Sequence, residues 1–275
     1  MLRGMYGAAA GMLAQQQRQE MLTNNLANVQ TPGYKADQAT IRAFPSMMLA
    51  AMNTSSGPMN QNKVIGELAT GVYVQEHVPN FKQGDLNQTG NTTDLALLQG
   101  VLPEGENGVQ GGLFFTVTGD DGALRYTRNG QFTVDGEGVL TTSSGHRVLG
   151  TDGQALEVGN TSFSVNENGV ILSNEGDIIG QLGIVYVENP LDLTREGNGL
   201  LTYSGEEAED FPQAIGMDDI TYQIQQGFVE KSNVDPTQTM AEMMSAYRAF
   251  EANQRVLQAY DQSLQKAVNE IGRLG

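Results

Sequence analysis

The last forty residues constrain this chain more than any other stretch. Steps of three and four from Met240 land on Met240, Met243, Tyr247, Phe250, Gln254, Leu257, Asp261, Leu264, Val268 and Ile271, and eight of these ten are apolar. An apolar repeat of about 3.5 residues lays one narrow stripe along a helix and needs a second helix to cover it. A start signal precedes the stripe in Asn233-Val234-Asp235-Pro236. Asp235 is suited to accept from the first open N–H groups, and Pro236 carries the φ of a first helical turn. The spacing predicts a helix from about 236 to 272 whose stripe cannot be buried by that helix alone.

A second, weaker stripe begins the chain: Met5, Ala9 and Met12, a polar interruption at Gln16 and Gln19, then Leu22, Leu26 and Val29. Gly4, Gly7 and Gly11 each cost a helix interior about 1 kcal/mol relative to alanine. Gly7 and Gly11 are read either as a small-residue face that lets another backbone approach or as a poor helix end. The run GMYGAAAGMLA after Arg3 is broken by glycines and followed by QQQRQE, so it reads as helix rather than as the core of a signal peptide. The two terminal stripes are expected to pack together, and any strip left exposed must meet another subunit.

The first helix is expected to stop near Val29. In Thr31-Pro32-Gly33-Tyr34, Pro32 presets the first central angle of a type II turn and Gly33 accepts the positive φ of the second. Pro32 also pushes Thr31 out of the helical region. Asn24 and Asn28 share a helix face, with Asn25 beside them. Such amides can satisfy carbonyls left open at a helix end or those of a neighbouring chain; ordinary capping accounts for one of the three.

Between the stripes the pattern changes. From Gly111 to Ser204, runs such as LFFTV, RYTRNGQFTV, GVLTT and GIVYV alternate with AspAspGly, AsnGly, AspGlyGluGly, SerSerGly and AspGly. Dense β-branched and aromatic residues between turn signals predict an antiparallel β domain of about eight strands. The expected fold class is therefore α+β: N- and C-terminal helices forming a coiled-coil-like helical domain (1–34 and 235–275), an extended connector with a mobile loop (35–79), an acidic β domain (80–220) and a return linker (221–234).

Charge separates the same regions. The formal net charge is −17. Residues 80–220 hold five Lys/Arg against twenty-two Asp/Glu, while both ends are close to balanced. An acidic centre repels nucleic acid and anionic membranes, so neither is an expected partner. No run approaches the roughly 18 apolar residues of a membrane span. With no cysteine, disulfides, thiolate metal sites and thiol nucleophiles are excluded.

Chemistry-bearing motifs are sparse. His77 and His146 have no partner at metal-ligand spacing, and Asp120, Asp121, Asp135 and Glu137 do not fit a calcium-loop register. No nucleophile elbow, Walker loop or dinucleotide fingerprint appears. A glycosidase needs two facing carboxylates, and abundance of acids is not evidence for such a pair. No catalytic residue, cofactor or metal is expected.

The stretch NNLANVQTPGYK resembles the signature of the bacterial flagellar axial proteins, the rod and hook family. The likeness extends through MLRGMYGAAAGMLAQQQRQEMLTNNLANVQTPGY, FKQGDLNQTGNTTDLAL, RYTRNGQFTVDGEGVLTTSSGHRVLG and QGFVEKSNVDPTQTMAEMMSAYRAFEANQRVLQAYDQSLQKAVNEIG, in family order and over more than half of the chain. Ala43 to Leu49 and Gly71 to Glu76 are most similar to distal-rod-like hook-basal-body proteins of Bacillus-type bacteria. Residues 101–112 depart from the pattern, intervening where family members pass almost directly into the PhePhe strand. The resemblance implies a structural, non-enzymatic subunit of the flagellar basal body, exported unfolded by the flagellar type III apparatus without a cleaved signal peptide. It further implies partners in copies of itself and other rod and hook proteins, with helical assembly through the terminal helices. The subunit interface is expected at Asn24, Asn25, Asn28, Pro32, Gly33, Tyr34, Met240, Met243, Tyr247, Phe250, Leu257, Leu264, Val268 and Ile271. Two other classes share some of these features: a secreted fibre or adhesin subunit, and a peptidoglycan hydrolase linked to rod assembly.

Overall fold

The computed structural model describes residues 2–44, 47–50, 64–68, 71–103, 105, 109–119, 121–203, 205, 211–217 and 219–271. The loop expected at 53–62 and part of the 101–112 segment fall outside these residues. The class is α+β, with helix α1 at Leu2–Ala27, helix α2 at Pro236–Ile271 and strands between them. The chain divides into two compact units. Unit 1 comprises Met1–Ala27, Asp37–Val78 and Asp235–Gly275; unit 2 comprises Asn28–Ala36 and Pro79–Val234.

In unit 1 the helices run antiparallel, since Gly4 lies against Tyr260, Gly11 against Asn253, and the Thr23 hydroxyl donates to Met243 Sδ. The start of α2 follows its sequence signal: Asp235 Oδ1 accepts from Thr237 N at 2.8 Å and Gln238 N at 3.1 Å, satisfying two of the four open amides of a helix start. The seam of α2 shares only one row with the expected stripe. Met243, Phe250, Leu257 and Leu264 are partly covered, but the companion row is Ala246, Asn253, Tyr260 and Ala267, while Met240, Tyr247, Gln254, Asp261 and Val268 are exposed. Small residues explain the shift. A Cβ on Gly11 would sit 2.9 Å from Asn253 Nδ2 and one on Gly4 2.1 Å from Tyr260 Oη, so α1 closes on the row its glycines admit. The close-approach glycines are Gly4 and Gly11; Gly7 faces open space.

The region expected as an extended connector carries two ribbons within unit 1. Asp37–Ala43 pairs with Val72–Pro79, and Met47–Ala50 pairs antiparallel with Val64–Leu68.

Unit 2 is built on a five-stranded sheet in the order Ile184–Val187, Gly112–Thr118, Leu124–Thr127, Leu200–Tyr203, Leu193–Gly197, antiparallel throughout. Gly112–Thr118 is covered on both faces, which is why LFFTV is continuously apolar. Alternation sends Leu113, Phe115 and Val117 into one cluster with Leu95, Phe132, Leu140 and Ile171, and sends Phe114 into another with Tyr126, Val185 and Leu201. The expected return linker is itself sheet: Tyr222–Gln226 pairs with Leu95–Gln99 and Phe228–Glu230 with Leu86–Gln88.

Two β segments of unit 2 repeat one another at a separation of 31 residues, FTVDGEGVLTTSSG from Phe132 and FSVNENGVILSNEG from Phe163. Asp135 Oδ1 accepts from Glu137 N and Val139 N, and Asn166 Oδ1 accepts from Asn168 N and Val170 N. These backbone bonds hold the Asp135 carboxyl below the usual carboxylate range, the bond from Val139 contributing most. Leu140 and Ile171, at equivalent positions, are fully buried in the same cluster.

Candidate assembly site

The residues that the sequence marks for assembly are divided by the structure. Met243, Phe250, Leu257 and Leu264 lie in the seam of the helix pair, which leaves a stripe uncovered. On α2, Met240, Met244 and Tyr247 fall at i, i+4 and i+7 and are 49%, 56% and 54% exposed. Leu13 and Tyr6 are exposed on α1, and Val268 lies near the other end of α2. Arg18 Nη2 donates to Glu242 Oε2 at 3.1 Å, joining the two helices. A hydrogen bond from Gln238, with Arg18 adding to it, lowers the Glu242 carboxyl. The Ile271 side chain lies outside what is described.

The other expected residues fall in 24–34, of which 24–27 belong to unit 1 and 28–34 to unit 2. Asn25 is buried within unit 1, where its Nδ2 donates to Asp37 O at 2.8 Å and its Oδ1 accepts from Asp37 N at 2.9 Å. It therefore acts as a strand neighbour for the first residue of Asp37–Ala43, an arrangement in which each amide group meets its complement. Asn24 is exposed. Asn28 belongs to unit 2 and shapes the turn, its carbonyl accepting from Thr31 N at 3.2 Å and its Oδ1 from Thr31 Oγ1 at 3.2 Å. Gly33 has the required positive φ, 70°. A Cβ there would also lie 2.5 Å from the Arg128 carbonyl carbon and the Asn129 nitrogen, so glycine is needed twice over.

Directly after this turn stands a buried charge cluster that sequence inspection does not reveal. Glu230 is 1% exposed, Arg128 4% and Lys35 6%. Glu230 Oε1 accepts from Lys35 Nζ at 2.6 Å and from Gly84 N at 2.8 Å, while Oε2 accepts from Arg128 Nε at 2.6 Å. Further donors are used as well: Arg128 Nη1 and Nη2 reach the carbonyls of Leu113 and Leu97 at 2.6 and 2.7 Å, and Lys35 Nζ reaches that of Lys82 at 2.8 Å. Such pairing is what makes buried charge tolerable. Burial pushes the Lys35 ammonium down to about 8, with Glu230 pulling it up and Arg128 pressing it down. Burial alone would raise the Glu230 carboxyl, but Arg128, Lys35 and the Gly84 amide together hold it below the usual range.

Around this cluster, Arg195 Nη2 donates to the Lys35 carbonyl, and the Arg195 guanidinium lies 4.7 Å from the centre of the Tyr34 ring. Asn233 accepts from Ala36 N at 2.7 Å and donates to Asn80 O at 2.8 Å. Lys35, Arg128 and Glu230 are far apart in sequence and each sits in a pattern that looks like solvated surface. No local signal in the sequence marks them.

Relatives are consistent with this partition into ends and middle. Residues 5–35 match the family Flagella basal body rod protein, residues 108–173 match Flagellar hook protein FlgE/F/G D1 domain, and residues 225–270 match Flagellar basal body rod FlgEFG protein C-terminal. Over the full length of both chains the sequence is 44% identical to the flagellar hook-basal body complex protein FlhO of Bacillus subtilis. It is 32% identical to the flagellar basal-body rod protein FlgG of the same organism, over 98% of this chain and 99% of that one. Identity to the FlgG of Borreliella burgdorferi is 31%, over 98% of each. The two end segments that converge on the Lys35–Glu230 bond both lie in matched regions, and the chain belongs to the flagellar basal-body rod and hook family of structural proteins.

Proposed function

We propose that this chain is a structural subunit of the flagellar basal-body rod that leaves the cell unfolded through the flagellar type III export apparatus, without a cleaved signal peptide. It then assembles helically with copies of itself and with other rod and hook proteins through α1 and α2. The carrying observation is the apolar stripe of Met240, Met244 and Tyr247, left exposed by a helix pair that has already closed its other row. Apolar residues repeated at helical spacing on an uncovered face favour a further helix, in coiled-coil-like packing, as the partner. A contact between unlike patches, repeated from subunit to subunit, builds an open helical filament rather than a closed ring.

The interface proposed here takes Met240, Met244, Tyr247 and Val268 from α2, Tyr6 and Leu13 from α1, and the exposed Asn24. In unit 2, Pro32 and Tyr34, partly exposed, are proposed as separate contact residues. The role is structural, with no reaction assigned to the chain.

Replacing Met240, Met244 and Tyr247 by serine tests this. Surface substitutions of this kind change stability by no more than about 0.5 kcal/mol each, so the purified variant keeps its far-UV signature. The expected outcome in cells is loss of swimming and absence of the protein from isolated basal bodies. Normal swimming with the variant built into rods would remove the stripe from the mechanism. Intact mass measurement of the protein from basal bodies checks export separately, because a cleaved N-terminus would contradict signal-independent export.

A further inference from the structure

Residues 28–36 run across unit 2 as a strap that forms no strand ladder. Its polar fastenings are unusually complete. Gly33 N donates to Glu230 O at 2.8 Å, Ala36 N to Asn233 Oδ1 at 2.7 Å, and Asn80 N to Ala36 O at 2.8 Å. Arg195 holds the Lys35 carbonyl and covers the Tyr34 ring. The one buried side chain of the strap is Lys35. Val29, Pro32, Tyr34 and Ala36 are intermediate in burial, so the strap's one fully enclosed side chain ends in an ammonium group.

That group faces a crowded site. Glu230 meets Lys35 from the strap, Arg128 from the turn after Leu124–Thr127, and the Gly84 amide. The nearest further charges are Lys82, whose carbonyl accepts from Lys35, Asp37 two residues after Lys35, the exposed Asp85 beside Gly84, the exposed Lys231 whose amide is tied to Asp85 O at 2.8 Å, and Arg195, exposed, on the Lys35 carbonyl. The cluster thus holds two cations and one anion. Remove the anion's charge and two buried cations confront each other with backbone carbonyls as their only compensation, a costly arrangement in low dielectric. Lys35 is the cation that can leave, because it sits on a segment outside any strand ladder, whereas Arg128 directly follows Leu124–Thr127 of the five-stranded sheet and is bonded to the carbonyls of Leu113 and Leu97.

We infer that the strap is an acid-released clasp: protonation of Glu230 expels Lys35 and frees residues 28–36 while the β core of unit 2 stays folded. The sign follows from the Glu230 carboxyl, which lies below its ordinary value of 4.5 in the folded protein. Its contribution is fully present above that value and is lost as pH falls through the folded one. The inference stands on the geometry of unit 2 and is independent of the assembly reading.

The absence of cysteine allows a clean probe. A cysteine placed at the exposed Gln30 and labelled with a small fluorophore reports strap mobility by anisotropy, while circular dichroism follows the β core on the same full-length sample. The expected result is loss of anisotropy at a higher pH than loss of the β signal. E230Q should show low anisotropy already at neutral pH with its β signal retained, and K35M should keep the strap docked to lower pH than the parent. Loss of anisotropy and β signal in one coincident transition in the parent protein overturns the clasp, whether or not E230Q folds. A K35M strap released at the parent's pH overturns the role given to Lys35.

Discussion

The helix pair and the β unit treat apolar surface in opposite ways. In unit 2 the strand Gly112–Thr118 buries Leu113, Phe114, Phe115 and Val117 to 1% exposure or less. In unit 1, α2 leaves Met240, Met244 and Tyr247 about half exposed and covers Ala246 instead. A closed core and an open face in one chain are suited to two different ends. Those of unit 2 stabilise the monomer, and those along α2 are held for a partner in the proposed assembly. Substitutions should separate the two roles, with the largest monomer effects in unit 2.

The strongest contrast is expected at Phe115, which packs edge-on against Phe132 with ring centres 5.3 Å apart. Phe115→Ala removes a fully buried ring and should cost about 3–5 kcal/mol. Denaturant titration with hydrogen exchange read by segment should show the loss across Gly112–Thr118 and its sheet neighbours. A cost below about 1 kcal/mol would mean that this core is loosely packed and that the contrast between the units is not one of packing.

Lys35 provides the next effect, through pH. Its folded value of about 8 lies below the ordinary 10.5. Between those values the unfolded chain holds a proton that the folded one does not, so this group makes stability rise with pH. The whole interval corresponds to about 3 kcal/mol at the usual conversion. Tyr186 and Tyr222 are raised by burial and act in the opposite sense near and above pH 10, so the useful window lies between Lys35's lowered value and the onset of tyrosine ionisation. Within it, unfolding free energy of the parent should climb with pH and that of Lys35→Met should be flatter. Parallel slopes in the two proteins would show that Lys35 does not feel the burial that the cluster imposes.

Gly33 follows. Gly33→Ala places a side chain at φ 70° and against the Arg128 backbone, neither of which a small shift relieves. A strained position of this kind costs about 1–3 kcal/mol. Exchange protection lost first at the strap, before the five-stranded sheet, is the expected pattern; a variant as stable as the parent would show that the turn can be rebuilt without glycine.

The elements that were legible in the sequence are those fixed by local rules. Asp235-Pro236 marks the start of α2 because capping and proline geometry need no distant partner. The hairpin turns were legible for the same reason, whereas the repeat of FTVDGEG in FSVNENG was missed and stands out only through the matching Asp135 and Asn166 bonds. The phase of the α2 seam was half legible, since an apolar stripe does not say which of its edges faces its own chain. Glycines on α1 settle that, and their partners Asn253 and Tyr260 do not look like seam residues. The Lys35–Glu230–Arg128 cluster was not legible because charged residues beside turns and at strand ends ordinarily point to water, and only the fold brings these three together.

The smallest effects test the open and closed rows on α1 itself. Gly7 has nothing within 4 Å of an added Cβ, so Gly7→Ala should give back the helix propensity that glycine forfeits, about 1 kcal/mol in favour of the helix. Gly11→Ala has the same propensity gain but meets Asn253 Nδ2 at 2.9 Å. That contact is with the end of a side chain, which moves only by giving up its place in the seam, so the net change should be near zero or unfavourable. Gly4→Ala confronts the Tyr260 hydroxyl more closely still, at 2.1 Å, near the beginning of α1. Thermal unfolding of the three variants, followed at 222 nm, should therefore rank Gly7→Ala above the parent and the other two at or below it. If all three stabilise equally, α1 is not in close contact with the Asn253 and Tyr260 row in solution, and the proposed exposure of Met240, Met244 and Tyr247 loses its structural reason. If the ranking holds, the glycines determine which row of α2 is closed, and thereby which row is left for another subunit.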